Sequence, residues 1–203
     1  MENTIINVGR QFGSGGRLIA NEIGRKLGIK VYDNELISRA AEESGFSKEL
    51  FVKSDENRSI FSVSSFFSSG RFVHSENYVN DNVLFKIQSE VIRGIAAKES
   101  AVIIGRCSDY ILRDMDCLDV FITAPLEVRR KMVAERSGLS DSEAESLIQK
   151  KERTRSTYYN FFTFGDWGQA SNYDLCVDSS ILGIEGTADM IIDFGRKAGK
   201  IRI

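Results

Sequence analysis

Proline and histidine each occur once in the 203 residues and cysteine three times, and each scarcity narrows what the chain can be. With a single proline there are few rigid linkers, which argues against a strung-out multidomain chain. Cys107, Cys117 and Cys176 are odd in number and lack metal-site spacing, so they read as reduced thiols in or near a core. His74 has no partner motif beside it and reads as a surface histidine, not a general base. No apolar run approaches the length of a membrane span, and the N-terminus lacks a secretory pattern, so the expected location is cytoplasmic. The formal net charge of −2 supplies no global basic character, so nucleic acid is not an expected partner. The length suits one domain with its own core and is short for two.

What is present is an alternation of short apolar strands with amphipathic helices. TIINVG (4–9), IKVY (29–32), AVIIG (101–105), CLDVFIT (117–123) and DLCVDSS (174–180) read as strands. Ile19, Ile23 and Leu27, with Leu18 beside Ile19, form a helical stripe that Gly28 closes as a C′ residue. Leu84, Ile87, Val91 and Ile95 share one face of a helix over 81–98. Pro125 sits at a helix start, Ser140 and Glu143 form a capping box for a helix over 140–157, and a last helix covers 184–197. This order predicts an α/β fold with parallel strands covered on both faces, every strand ending at one edge where ligands bind. Gly9, Asp33, Gly105 and Thr123 all end strands and are expected to line that crevice. The Ser-, Phe- and Asn-rich stretch 54–80 shows no clean period and reads as part of a substrate-side insertion.

The turn after the first strand, Gly13-Ser14-Gly15-Gly16, can bring backbone N–H groups close to an anion at a helix N-terminus. Laid on the pattern G-x-x-x-x-G-K-[ST], Arg10 stands at the first glycine, Gly16 at the lysine and Arg17 at the hydroxyl residue. The usual phosphate-binding ammonium and the usual Mg²⁺-binding hydroxyl are therefore absent. Arg10 and Arg17 are the candidates to supply charge in their place. A glycine turn that merely starts a helix fits the loop equally on its own; its position after the first strand favours the anion.

GRQFGSGGRLIA, YDNELISRA and VIIGRCSDYIL, in that order, resemble the cytidylate kinase-like family of P-loop nucleoside monophosphate kinase relatives. The resemblance spans residues 4 to about 195 and is weakest in the middle insertion. It implies a P-loop NTPase-type three-layer α/β/α fold with a five-stranded parallel sheet, a substrate-side insertion at about 34–80 and a helical lid at about 140–170, all in one domain over 1–203. It also implies ATP as phosphate donor, Mg²⁺ of unassigned ligands, and small-molecule nucleotide substrates. By that resemblance Asp33 faces the reacting phosphates or metal, and Arg39 and Arg106 hold the acceptor phosphate. The carboxylates that flank Gly-Arg in cytidylate kinases are Ile104 and Cys107 here, so neither metal handling nor base recognition carries over; Asp109 is a nearby substitute or a capping charge.

Arginines of a closing lid neutralise charge on a transferring phosphoryl group, and Arg153 and Arg155 are the candidates, with Arg129 and Arg130 behind them. Tyr158, Tyr159, Phe161, Phe162, Phe164 and Trp167 follow and read mainly as packing. The residues therefore predict an ATP-dependent phosphotransferase acting on a nucleoside monophosphate or similar acceptor. Its donor phosphates lie on Arg10, Gly13, Ser14, Gly15, Gly16 and Arg17, its catalytic groups are Asp33, Arg153 and Arg155, and its acceptor groups are Arg39 and Arg106. The alternative is a nucleotide- or phosphate-binding module without turnover. A homo-oligomer is left open.

Overall fold

The computed structural model describes residues 3–34, 36–37 and 78–203. Arg39, His74 and the Phe-rich stretch 60–72 lie outside the described residues. Five strands form one parallel sheet: β1 (Ile5–Arg10), β2 (Lys30–Tyr32), β3 (Ala101–Ile104), β4 (Leu118–Thr123) and β5 (Leu175–Asp178), in spatial order β2-β3-β1-β4-β5. The connecting helices among the described residues are α1 (Gly16–Leu27), α2 (Tyr78–Lys98), the short α3 (Ser108–Ile111), α4 (Leu126–Ser137), α5 (Asp141–Thr163) and α6 (Ser179–Lys197). None of them is long and apolar enough to cross a membrane.

Alternation along the strands sorts side chains between two cores. Ile6, Val8, Val102, Ile104, Val120 and Ile122 pack with Ile19 and Ile23 of α1 and Ile191 and Ile192 of α6. Ile5, Ala101 and Ile103 face Ile87, Val91, Ile92 and Ile95 of α2 and Ile111 of α3. A third cluster joins Val133 of α4 to Ala144 and Ile148 of α5, with Phe12 of the glycine turn against it. The three layers are those expected, and differences of detail have local causes. Leu18 is 55% exposed and stays out of the core, because one residue before Ile19 rotates it onto the solvent side of α1. The capping box is present, with Ser140 accepting from Glu143 N–H, but α5 runs on to Thr163 because Tyr159 and Phe162 continue its buried face past residue 157. Helix α6 starts at Ser179, capped by Asp178, and is interrupted at Gly183 (φ 66°), which is why its periodic pattern begins only near residue 184. Cys107 and Cys117 are buried; Cys176 is exposed.

One carboxylate lies inside the sheet. Asn7 Nδ2 donates to Asp119 Oδ1 at 2.8 Å, from the residue directly opposite in the β1–β4 register. Burial pushes the Asp119 carboxyl up to about 6, with Asp109 and Asp174 adding to the rise and the Asn7 hydrogen bond opposing it. Between the unfolded value and about 6 the folded chain then holds more protons here than the unfolded chain, so stability falls as pH rises through that window. Asp119→Asn keeps an acceptor for Asn7 and removes the ionisation. The expected result is a higher Tm at neutral pH, by at most ~3 kcal/mol in stability, and a flatter Tm profile between pH 4 and 6; unchanged profiles would refute it.

Candidate functional site

The glycine turn stands at the carboxyl edge of the sheet. Gln11 N–H continues the β4 ladder to the Ile122 carbonyl (2.9 Å), and the Gln11 side chain accepts from Ala124 N–H at 3.2 Å. The turn needs left-handed backbone at Gly13 (φ 84°) and Gly15 (φ 73°), which glycine adopts without penalty. Ser14 is buried, and its hydroxyl donates back to the Gln11 carbonyl at 3.0 Å. The Ser179 hydroxyl lies 2.7 Å from the Ser14 carbonyl and 3.0 Å from that of Thr123, tying the turn to the ends of β4 and β5.

The lysine position is filled from an unexpected direction. A Cβ on Gly16 would lie 2.6 Å from Arg10 Cβ and 2.9 Å from Arg10 Cγ. The Arg10 stem thus runs across the space that a side chain at position 16 would need. Its guanidinium ends against Gly105 at the tip of β3, where a Cβ would collide with Arg10 Nη1. Burial lowers the Arg10 pKa to about 9; the Arg155, Arg106 and Arg17 charges push the same way, and Asp33 opposes them. Four guanidinium groups therefore meet where the strands end. Asp33 faces them, paired with Arg17 at 2.5 Å. Asp33 also caps the turn that follows β2, since its Oδ1 accepts from Leu36 N–H at 3.1 Å. Asp33 thus both caps this turn and stands at the crevice beside Arg17.

Helix α5 closes the other side. Arg155 Nη1 donates to the Arg10 carbonyl at 2.9 Å, and burial lowers its pKa to about 10. Two guanidinium groups lie over the Phe12 ring, Arg155 at 5.3 Å and Arg136 at 5.4 Å from its centroid. Glu152 accepts from Phe12 N–H (3.3 Å) and from Arg129 Nη1 (2.7 Å), while Arg129 Nε donates to the Ala124 carbonyl at 2.8 Å. Arg129 is 6% exposed and braces the loop from behind, which removes it from the lid arginines. Arg130 pairs with Asp141 and Glu145 on the α4–α5 hairpin. Arg153 is exposed on the outward face of α5, two residues and about 200° around the helix from Arg155, so the structure does not bring it to the cluster.

After β3, Gly105, Arg106 and Cys107 are three successive left-handed residues (φ 71°, 58° and 56°), a costly turn for the last two. It carries Arg106 toward Arg10 and over the Tyr158 ring at 5.7 Å. Asp109, two residues past this turn, is half-buried; desolvation raises its pKa, and it accepts from the Tyr159 hydroxyl at 2.7 Å. Sequence reasoning missed Phe12, Glu152 and Tyr159 as site supports. An aromatic side chain inside a glycine-rich turn and a lone acid among arginines of α5 were the available signals.

Among the described residues, no group of three His, Cys, Asp or Glu side chains could hold a metal ion. The hydroxyl position carries Arg17, and the buried Ser14 hydroxyl is spent on Gln11. The described residues thus offer no all-protein cage for Mg²⁺, which here would be held largely by substrate phosphates and water, and no step below is routed through one.

The chain matches the cytidylate kinase-like family over residues 5–181. The cytidylate kinase of Pyrococcus horikoshii is 30% identical over 188 residues, covering 91% of this chain and 84% of its own. That of Pyrococcus abyssi is 31% identical over 185 residues, with 90% and 88% covered. The crystal structure of an uncharacterized protein from Eubacterium ventriosum has a TM-score of 0.72 at 27% identity, covering 95% of this chain and 98% of its own. A shikimate kinase from Bacteroides thetaiotaomicron, at TM-score 0.52 and 15% identity, shares the fold. The sheet order, the glycine turn with its arginines and a family match over most of the length agree: the chain belongs to the cytidylate kinase-like family and is a kinase.

Proposed function

We propose that this kinase transfers the terminal phosphoryl group of ATP to a nucleoside monophosphate or a similar small phosphorylated acceptor. The observation that carries the reading is the half-buried, desolvated Arg10 beside Arg155, Arg106 and the more exposed Arg17. Like charges gathered in this way persist where an anion completes them, and a polyphosphate beside the turn amides is the ligand of matching charge. Gly13, Ser14, Gly15 and Gly16 offer backbone to the donor phosphates, and Arg10 and Arg17 offer charge. An acceptor phosphate oxygen, held by Arg106 and by Arg39, attacks the γ-phosphorus as the bond to the β,γ-bridging oxygen breaks. Arg10 and Arg155 stabilise the charge gathering on the transferred group, and Asp33 orients Arg17. Residues 34–80 are the substrate-side insertion and 140–170 the lid of this reading. Arg153 enters only as an outer-face charge.

Arg17 at the hydroxyl position favours a second reading, a nucleotide-binding module without turnover. Titration calorimetry with ATP, followed by a coupled assay over CMP, UMP, AMP and GMP, decides between them. Binding with turnover on at least one acceptor is expected. Binding without turnover would establish the module, and absence of ATP binding with and without Mg²⁺ would defeat both.

A further inference from the structure

Gln88 is completely buried in α2, its Oε1 accepts from the Tyr158 hydroxyl at 2.9 Å, and its Nε2 has no partner among the described residues. A buried amide N–H₂ without an acceptor is costly, and native interiors rarely keep one without a use. The described neighbours nearby are aromatic: Phe85 lies one helical turn away in α2, stacked on Phe162 at 4.1 Å and edge-on to Tyr158 at 6.3 Å.

The fold sets this amide at the level of the reaction edge. Helix α2 climbs from Lys98 to Gln88 by ~15 Å, while β3 rises from Ala101 to Gly105 by ~13 Å. The two run in opposite chain directions side by side, so Gln88 and the Arg106 turn reach comparable height. Tyr158 spans them, its ring under the Arg106 guanidinium and its hydroxyl on Gln88. The separation is about one tyrosine side chain, on the scale of the reach from phosphate to base in a mononucleotide.

We propose that Gln88 is a specificity-determining residue whose Nε2 donates to a carbonyl oxygen or unprotonated ring nitrogen of the acceptor's base, while Arg106 holds its phosphate. The inference rests on the acceptor being a nucleotide.

The test compares wild type, Gln88→Met and Tyr158→Phe with CMP, UMP, AMP and GMP as acceptors. Gln88→Met is expected to raise the KM of the preferred monophosphate about 10-fold with the KM for ATP unchanged, and to flatten the preference among the four. Tyr158→Phe removes the same hydrogen bond from the other side and is expected to lower Tm comparably while keeping most of the preference. An unchanged preference in Gln88→Met, or an equal loss in both variants, overturns the inference. If wild type turns over none of the four, the kinase reading fails separately, and calorimetry with the same monophosphates takes over. Weaker binding by Gln88→Met then upholds the inference; equal binding, or none by wild type, refutes it.

Discussion

Arg10→Ala is expected to lower kcat/KM for phosphoryl transfer by about 10²–10³, the loss typical of removing one preorganised donor from a developing oxyanion. Arg10 is placed for this by the strand that carries it. It is the last residue of β1, opposite Ile122 of β4, and its stem lies over Gly16 before its guanidinium reaches Gly105. Stability should move the other way. Burial and three neighbouring arginines depress the Arg10 pKa to about 9, so its charge is held against the preference of the folded state. Arg10→Met fills the same corridor without the charge, and a higher Tm of the unliganded protein with activity lost is the expected pair of results. Calorimetry, thermal melts and single-turnover transfer measure all three quantities. Near-normal turnover in either variant would remove Arg10 from the site, and a lower Tm in Arg10→Met would show that the charge is satisfied internally.

The second large effect comes from restoring the usual motif one residue at a time. Gly16→Lys returns the lysine that the pattern expects, yet it should cost at least ~10²-fold in kcat/KM, because its Cβ meets the Arg10 stem at 2.6 Å and displaces either the arginine or the loop. Arg10→Gly alone removes the charge and should be equally poor. The double variant, glycine at 10 with lysine at 16, clears the corridor and refills it from the helix side. It should recover at least tenfold over either single variant, a coupling that independent sites never show. Additive losses would mean that the two positions do not share one space.

Much of the architecture was legible because it is written in local periodicities. Ile5 and Ile6 divide between two cores by alternation, Gly28 ends α1 in the left-handed region, and Ser140 with Glu143 starts α5 as a capping box. That the glycine turn, Asp33 and Gly105 share one edge was legible for the same reason, since parallel strands end together there; Arg106 was singled out by the resemblance alone. What could not be read were contacts between distant segments. That Arg10 stands in for a residue at 16 is a contact across a loop, invisible to spacing. Glu152 meets Phe12 across 140 positions, and Tyr159 donates its hydroxyl to Asp109 across 50, a role beyond the capping charge its position suggests. Arg153 and Arg155 looked equivalent by composition; only helix phase, once the buried face of α5 was known, separated them.

The gathering of Arg10, Arg17, Arg106 and Arg155 has a thermodynamic consequence for the resting molecule. The repulsion that Arg10 feels from its three neighbours is a debit held by the rest of the fold, and a bound polyanion would cancel it. Substrate is then part of what keeps the protein folded: at a hundredfold excess over Kd, linkage alone adds about 2.7 kcal/mol. In a cell depleted of nucleotide, this chain would be the less durable form of itself.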